Sequence, residues 1–349
     1  MSVEPIDMSR KKNLEQALLA KAMPPHSLGI LEDLALHLAL ISPQPLKSLA
    51  LLLFAGDHGI YEASITHSPQ EITWQQCVNF AKGGGACSLF ARTNGVALSV
   101  VDVGVKHVFA PEDQVLNHKV AMGTKNFLQE PAMSRVQCQQ AMQEGRLLVR
   151  KRKQEGFDAI AFGEMGVGNT TSASALGSAL TGYKPALITG RGSGLGDEDL
   201  RHKLEVVEKA VALYPSSDPL ELLRSLGGFE LAAIAGGILE ACELGLPVLL
   251  DGFIVTASAL VSCAVDPGCK EYLIPCHCSG MQGHDLLLHY LGLNQPLLQL
   301  HMQLGEGTGS LAAWPLVKLA SKILFEMTSF QQGGVTDSTA ILGSLGLVK

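Results

Sequence analysis

One carboxylate in this sequence stands between glycines, in a position suited to acid–base chemistry. Glu306 lies in the string LGEGTG, residues 304–309, between two apolar stretches. Glycine neighbours leave room for a substrate, and a partly desolvated glutamate has a raised pKa that suits proton abstraction. The same position is typical of a carboxylate that stabilises the dipole of a following helix, here expected over 309–327. From the spacing alone, both interpretations remain open.

A glycine-rich segment at 163–171 predicts a phosphate-binding loop. It follows an apolar run typical of a buried strand and leads into a helix expected over 171–180. Glycines let the backbone approach a ligand closely, and the free N–H groups at a helix start favour an anion. A second glycine-rich segment, 190–196, would close on the same group, with Arg191 and Lys203 as candidate counter-charges. The alternative is a tight strand–helix turn beside solvated cations.

Polar side chains also follow the first apolar run. Asp57 and His58 suggest a metal ligand pair or a catalytic pair, but adjacent side chains on an extended segment point apart, which favours a polar turn. Uncharged hydrogen-bonding groups follow near Trp74: His67, Ser68, Gln75 and Gln76. They suit an aromatic heterocycle, or equally the polar start of a helix after Pro69.

Common nucleotide and metal motifs are absent from the sequence. There is no Gly-Lys dipeptide, hence no Walker loop, and neither G-x-S-x-G nor H-E-x-x-H occurs. Cys276 and Cys278 flank His277, which suggests zinc. Adjacent ligands cannot easily share a tetrahedral ion, and no second cluster completes the site, so a structural segment is the favoured interpretation.

Short apolar runs alternate with helix-like stretches, and each run ends in a turn rich in small or polar residues. The runs are 51–54, 97–101, 159–162, 248–250 and 272–275. Continuous apolar runs are typical of parallel strands covered on both faces, and the alternation implies βαβ crossovers. The sequence therefore predicts an α/β fold, a doubly wound, Rossmann-like parallel sheet flanked by helices. Because ligands bind at the carboxyl ends of such strands, we expect these turns to line one cleft.

Helical periodicity at both ends of the chain predicts a small helical part beside the sheet. Apolar residues recur at helical spacing over 13–22, 27–40 and 309–327. No linker rich in Pro or Ser separates two domains, so we expect a single catalytic unit over 1–349. Its α/β core is expected over about 46–305 and its helical part over about 1–45 plus 306–349.

Composition excludes several classes of protein. Of the 349 residues, 47% are hydrophobic and 17% are charged, which excludes intrinsic disorder. The net charge of -7 gives no basic surplus for nucleic acid, and no apolar run reaches the roughly 18 residues of a membrane span. The first residues lack an apolar signal segment and the eight cysteines are scattered, so we expect reduced thiols in a cytoplasmic protein.

Several strings of residues together resemble one family. In chain order they are AGDHGI (55–60), SPQEIT (68–73), VVDVGV (100–105), GTKNF (123–127), GEMGVGNTTSA (163–173), GRGSGL (190–195), GGFELAAIAG (227–236), LLDGFIVTA (249–257) and LGEGTG (304–309). This series is similar to that of the nicotinate-nucleotide–dimethylbenzimidazole phosphoribosyltransferases, over about 24–330. GEMGVGNTT together with LGEGTG is its most specific part.

The resemblance implies a reaction in the assembly of the cobalamin nucleotide loop. Nicotinate mononucleotide and dimethylbenzimidazole would give α-ribazole 5'-phosphate and nicotinate. It also implies that these small molecules are the substrates, that no metal or organic cofactor is needed, and that the chain forms a homodimer. No nucleic-acid or membrane partner is expected.

The resemblance also assigns roles to residues. Glu306 would be the general base that takes the ring N–H proton of the benzimidazole while the opposite nitrogen attacks the anomeric carbon of the ribose. The base pocket would be lined by Ser68, Gln76 and Leu304. The nucleotide and its phosphate would be held by Glu164, Gly166, Gly168, Asn169, Thr170, Gly192, Ser193 and Lys203.

Some positions depart from the family pattern. His26 stands where a glycine is usual, Ile30 replaces a basic residue, and Gln303 replaces an arginine. The segment 278–282 carries a different polar set. These departures bear on base specificity and dimer contacts rather than on the reaction.

Two other functions fit the same features. The same scaffold would also suit the attachment of another base, such as a purine or a phenol. A non-catalytic nucleotide-binding protein would keep the phosphate loops, but binding alone does not require a base at Glu306.

Overall fold

The chain divides into two compact units, and the computed structural model describes residues 2–192 and 194–337. The first unit consists of Met1–Glu4 and Ser48–Ala313, and the second of Pro5–Lys47 and Trp314–Lys349. The single catalytic unit with a core over about 46–305 remains a prediction.

The first unit is built on a parallel sheet. Its strands are β1 Leu49–Gly56, β2 Ala97–Gly104, β3 Leu116–Asn117, β4 Ala159–Met165, β5 Val248–Leu250 and β6 Leu273–Pro275. Within the described residues they form one sheet in the order β3-β2-β1-β4-β5-β6, and every neighbouring pair is parallel. This is the strand order of a doubly wound Rossmann fold. The predicted fold class is therefore confirmed.

Helices connect these strands and make up the second unit. The α-helices are α1 Lys11–Leu19, α2 Ile30–Ile41, α3 Ile72–Ala81, α4 Ala86–Asn94, α5 Arg135–Gln154, α6 Asn169–Thr181, α7 Pro185–Ile188, α8 Asp197–Leu213, α9 Pro219–Leu226, α10 Phe229–Glu243, α11 Phe253–Val265, α12 His284–Leu291, α13 Thr308–Glu326 and α14 Phe330–Gly333. Short 3-10 helices occupy Met8–Arg10, Gly59–Ala63, Pro111–Asp113 and Pro267–Tyr272. Among the described residues, no helix has both the length and the apolar character needed to cross a membrane.

Both faces of the sheet are packed. On β4, the ring of Phe162 lies against α10, where a Cβ on Gly237 would stand 2.7 Å from it. The next residue, Gly163, lies against the backbone of Glu306, whose carbonyl carbon is 2.8 Å from the place of a Cβ. Successive strand residues point to opposite faces, so these two contacts belong to the two sides of the sheet. This explains why the strands are apolar at successive positions rather than at alternate ones.

The helix α10 is buried along almost its whole length between the sheet and α5. Gly145 of α5 lies against the backbone of α10, where a Cβ would overlap the carbonyl oxygen of Ala233. Gly236 of α10 lies in the same way against the backbone of Met142. The two glycines therefore let the helix backbones approach closely, at the expense of helix propensity.

The second unit has a small core of its own, formed by Met23, Ala35 and Ile323 with Leu18, Leu31 and Met327 packed against it. In the turn before α2, His26 adopts a φ of 62°, the left-handed region that glycine enters without strain. The Glu32 carboxylate accepts the N–H groups of His26 at 3.1 Å and Leu28 at 2.9 Å, which holds this turn. Histidine thus replaces the glycine that is usual at position 26, although the backbone there keeps a glycine-like conformation.

The close approach of α5 and α10 leads to a stability test. Gly145→Ala should lower the free energy of unfolding by about 1–3 kcal/mol, because the added Cβ forces the helices apart. Gly177→Ala is the matched control, since Gly177 also lies inside a helix, α6, but its nearest neighbours are 3.4 Å from the place of a Cβ. That variant should keep or raise stability, because alanine favours a helix by about 0.5–1 kcal/mol. Chemical denaturation followed by circular dichroism compares the two, and equal effects would contradict this packing.

Candidate active site

A cavity of about 360 Å³ lies in the first unit, at the carboxyl ends of β4, β5 and β6. Its lining residues fall within 65–72, 164–170, 191–203, 251–255, 277–281 and 303–306. Doubly wound sheets bind ligands at this edge. Of the predicted turns, those after β4, β5 and β6 line the cavity.

The turns after β1 and β2 do not line it, so the prediction of one cleft shared by all the turns is wrong for these two. His58 is buried, with Nε2 2.5 Å from Oε1 of Glu230 and Nδ1 2.8 Å from Oγ of Ser172. The carboxylates of Asp57 and Asp102 accept backbone N–H groups. Both turns therefore use their polar groups inside the protein rather than toward a ligand.

The loop before α13 has an unusual backbone conformation. Gly305, Glu306 and Gly307 have φ angles of 78°, 61° and 75°, so three successive residues lie in the left-handed region. Glycine adopts this conformation freely, whereas a residue with a side chain is strained there by about 1–3 kcal/mol. Glu306 is thus the one strained residue of this turn. Strain of this kind persists only where the surrounding structure fixes it.

Asp251, directly after β5, fixes this turn. Its Oδ2 accepts the N–H of Gly307 at 3.2 Å, and its Oδ1 accepts those of Gly309 at 2.7 Å and Ser310 at 3.2 Å. Asp251 therefore occupies the start of α13, the place that the alternative interpretation gave to Glu306. Asp251 was not among the predicted site residues, although an aspartate directly after a buried strand was a usable signal.

The Glu306 carboxylate is buried beside the start of α4. The residue is 7% exposed, and Oε2 has no hydrogen-bond partner in the described part of the chain. Burial raises the pKa of Glu306, while the backbone N–H and the thiol of Cys87 lower it and the charge of Asp251 raises it further. A buried carboxylate with a spare oxygen and a raised pKa is suited to accept a proton.

A second buried carboxylate, Glu164, lies at the end of β4. Its side chain contacts Gly305, and its Oε2 accepts a hydrogen bond from Nδ2 of Asn169. Burial raises the pKa of Glu164 to about 8; Asn169 lowers it, and the charges of Asp251, Glu230 and Glu306 raise it. The cavity therefore has two buried acids in different surroundings.

The glycine loops and Lys203 bring groups suited to an anion to the start of α6. Gly168, with a φ of 94°, precedes this helix, and no described side chain caps it. The Lys203 ammonium, 1% exposed, donates to Oγ1 of Thr170 at 2.9 Å and to the carbonyl of Gly190 at 3.1 Å. A Cβ on Gly192 would stand 3.3 Å from this Nζ. Burial lowers the pKa of Lys203 to about 8, and an anion bound beside it would favour the charged form.

Most residues predicted for the site line this one cavity: Ser68, Glu164, Gly166, Gly168, Asn169, Thr170, Gly192, Lys203, Leu304 and Glu306. Ser193 lies outside the described residues. Gln76 is not part of the lining; it is half-buried and accepts a hydrogen bond from Asn79 at 3.0 Å. It stands one helical turn, about 5.4 Å, beyond Ile72, the residue of α3 that does line the cavity. The structure thus gives no support to Gln76 in the base pocket.

In the described part of the chain, no group of three or more His, Cys, Asp or Glu side chains suits a metal ion, either at the segment of Cys276, His277 and Cys278 or elsewhere. Both thiols donate to backbone carbonyls. His277, however, lines the cavity and is 4% exposed. This histidine was not among the predicted site residues, because the whole segment was interpreted as structural, although it follows the apolar run that forms β6.

Comparisons with known proteins agree with this geometry. A family model described as phosphoribosyltransferase matches residues 3–335. The nicotinate-nucleotide–dimethylbenzimidazole phosphoribosyltransferase of Dechloromonas aromatica is 41% identical over 339 residues, which cover 95% of this chain and 97% of that protein. The Thermus thermophilus protein of the same name is 43% identical over 317 residues, which cover 90% of this chain and 94% of that one.

Solved structures extend the similarity to three dimensions. The crystal structure of CobT from Thermus thermophilus matches with a TM-score of 0.91 and 41% sequence identity, over 94% of this chain and 99% of that chain. The chain belongs to the nicotinate-nucleotide–dimethylbenzimidazole phosphoribosyltransferase family.

Proposed function

We propose that this enzyme moves the 5-phosphoribosyl group of nicotinate mononucleotide to dimethylbenzimidazole, in the assembly of the cobalamin nucleotide loop. One observation carries the proposal. Glu306 is held in a strained backbone conformation, with an unpaired buried oxygen, in the wall of the cavity that also contains the anion-binding start of α6. A protein that only bound a nucleotide would have no need of this strained carboxylate.

At one end of the cavity, the glycine loops and Lys203 bind the nucleotide phosphate. The N–H groups at the start of α6 and the Thr170 hydroxyl donate to its oxygens, and Lys203 supplies a buried positive charge. Gly192 leaves space beside Lys203 and Thr170 for this approach, and Gly166 and Gly168 also line the cavity. Asn169 and Glu164 lie next to this loop and hold the ribose.

At the other end, Ser68 and Leu304 contact the benzimidazole, and Glu306 takes its ring N–H proton. The opposite ring nitrogen forms a bond to the anomeric carbon, and the bond from that carbon to the pyridinium nitrogen breaks. The electron pair of the broken bond neutralises the pyridinium, so nicotinate leaves as an ordinary pyridine carboxylate. Loss of the proton to Glu306 leaves the new nucleoside neutral.

The two buried acids have different tasks in this scheme. With a pKa of about 8, Glu164 keeps its proton at neutral pH and can donate a hydrogen bond. The Glu306 carboxylate accepts a hydrogen bond from the backbone N–H of Cys87, which favours the ionised form of Glu306. We therefore assign the general base to Glu306 and a hydrogen-bonding task to Glu164.

A second candidate reaction uses another acceptor base, such as a purine or a phenol. Gln303, where the family pattern has an arginine, and Met281, inside the divergent segment 278–282, both line the cavity. Changed side chains in the lining alter which bases fit. Incubation with nicotinate mononucleotide and a panel of bases, followed by mass spectrometry, identifies the accepted base.

We also propose that the enzyme is a cytoplasmic homodimer. Its cysteines are free thiols, six of them buried, as suits a reducing compartment. The dimer rests on the family resemblance. Light scattering of the purified protein tests it, with an expected mass twice that of the chain.

Glu306→Gln tests the general base. The variant keeps the size of the side chain but cannot accept the proton, so kcat should fall by about 10²- to 10⁴-fold. KM should change little, because the proton leaves only as the new bond forms. Thermal melting of the same variant is the control, and a folded variant that keeps most of its kcat would exclude Glu306 as the base.

Glu164→Gln tests the raised pKa of Glu164. Between its ordinary pKa of 4.5 and the raised value of about 8, the unfolded chain has lost this proton while the folded protein keeps it. The contribution of this group to the free energy of unfolding therefore falls as the pH rises across that interval. The decrease is about 1.4 kcal/mol for each pH unit. Glutamine has no proton to lose, so the variant should gain melting temperature relative to the wild type from about pH 5 to about pH 8. A pH-independent difference between the two would contradict the raised pKa.

A further inference from the structure

The start of α11 forms a part of the cavity wall separate from the phosphate loop. Gly252, Phe253, Ile254 and Val255, which are the N-cap and the first turn of this helix, all line the cavity. No side chain in the described chain caps the helix. The first N–H groups of a helix have no acceptor inside the helix, and together with the helix dipole they attract an anion.

His277 independently indicates that this helix start faces a ligand. The residue is 4% exposed and lines the cavity, yet neither ring nitrogen has a hydrogen-bond partner among the described residues. Its Nε2 lies 3.7 Å from Oδ1 of Asp251, beyond hydrogen-bond distance, and 3.5 Å from the place of a Cβ on Gly252. Because burying unpaired polar atoms is unfavourable, we expect the ligand to bring the group that pairs with this imidazole.

His284 holds His277 in this place. Its Nδ1 accepts the N–H of Ser279 at 2.9 Å, so its Nε2 carries the proton and donates to Oγ1 of Thr256 in α11 at 3.0 Å. Burial, followed by the neighbouring His277, lowers the pKa of His284 to about 3, so the ring stays neutral. The segment that carries His277 is thereby tied to α11.

We propose that His277 and the first turn of α11 bind the carboxylate of the nicotinate ring. The inference rests on the proposed function, whose nucleotide substrate carries two anionic groups, a phosphate and a ring carboxylate. The cavity lining includes residues at the starts of α3, α6 and α11, and no described side chain caps any of the three helices. The starts of α6 and α11 each have a buried basic side chain beside them, Lys203 and His277 respectively. Because the glycine loops lie at the start of α6, we assign the phosphate to α6 and the carboxylate to α11.

The charge of the carboxylate favours this group over the ribose hydroxyls as the occupant. A carboxylate accepts several hydrogen bonds at once and carries the charge that a helix start attracts, whereas the hydroxyls are neutral. The charge of Asp251 opposes an anion here, but its oxygens already accept three N–H groups of the loop before α13 and the start of that helix. The enzyme should therefore distinguish nicotinate mononucleotide from nicotinamide mononucleotide, which has an amide in place of the carboxylate.

His277→Phe tests the inference, because phenylalanine keeps a ring of similar shape but has no nitrogen. Calorimetry measures the affinity of the wild type and the variant for both nucleotides. Binding of nicotinate mononucleotide should weaken by about 10- to 100-fold, as expected for a lost hydrogen bond to a charged group. Binding of nicotinamide mononucleotide should stay nearly unchanged. His277→Gln, which restores an N–H donor, should recover part of the discrimination.

Lys203→Met is the matched control at the phosphate end. It should weaken the binding of both nucleotides by the same factor, since both carry the phosphate. Equal losses for the two nucleotides in His277→Phe, or no loss for either, would overturn the carboxylate site. A wild type that binds nicotinate mononucleotide but transfers its ribosyl group to no base would instead overturn the proposed function. Melting temperatures establish that each variant is folded, and the His277→Gln comparison decides the matter where His277→Phe does not fold.

Discussion

The site depends on the hydrogen bonds that Asp251 accepts from the backbone around α13. They tie the backbone that follows Glu306 to the end of β5, next to the three residues Gly305, Glu306 and Gly307 that lie in the left-handed region. The strain at Glu306 amounts to about 1–3 kcal/mol, whereas each hydrogen bond to a charged group contributes about 1.5–3 kcal/mol. Three such bonds outweigh the strain. The buried Glu306 carboxylate is therefore placed with the help of Asp251, after the neighbouring strand β5, rather than by its own local sequence alone.

The cavity places buried acids directly beside helix starts that favour negative charge. Glu164, Asp251 and Glu306 interact closely enough that each of the other two raises the pKa of Glu164, after the larger effect of burial. These carboxylates favour bound protons, so their surroundings suit a substrate that must lose a proton. The starts of α6 and α11, with Lys203 beside the first, favour negative charge. A substrate with anionic groups matches the helix starts, and a second substrate with a labile proton matches the buried acids.

Much of this organisation could be predicted from the sequence, and the rest depended on contacts that are distant along the chain. The continuous apolar runs of β1 and β4 predicted the parallel sheet, because strands covered on both faces leave no alternation. The glycine-flanked Glu306 and the loop at 163–171 were selected by local chemistry. Asp251 was missed because its partners lie more than fifty residues away, at 307 to 310. Gln76 was expected in the base pocket from a motif match and stays a prediction, since the lining of the cavity includes Ile72 of α3 but not Gln76.

The turn after β1 does not line the cavity, but it supports the loop after β4, which does. The carbonyl oxygen of Gly56 lies so close to Gly166 that no side chain would fit there, and His58 contacts Ser172 in the first turns of α6. Glu230, at the start of α10, holds the far side of the His58 ring. His58, Ser172 and Glu230 do not line the cavity and hydrogen-bond to one another, and they fix the loop where the phosphate is expected. In this sheet the ends of β4, β5 and β6 line the cavity, while the end of β1 packs against the loop after β4. A polar turn at the end of a strand is thus evidence of a site nearby, but its side chains can support that site without lining it.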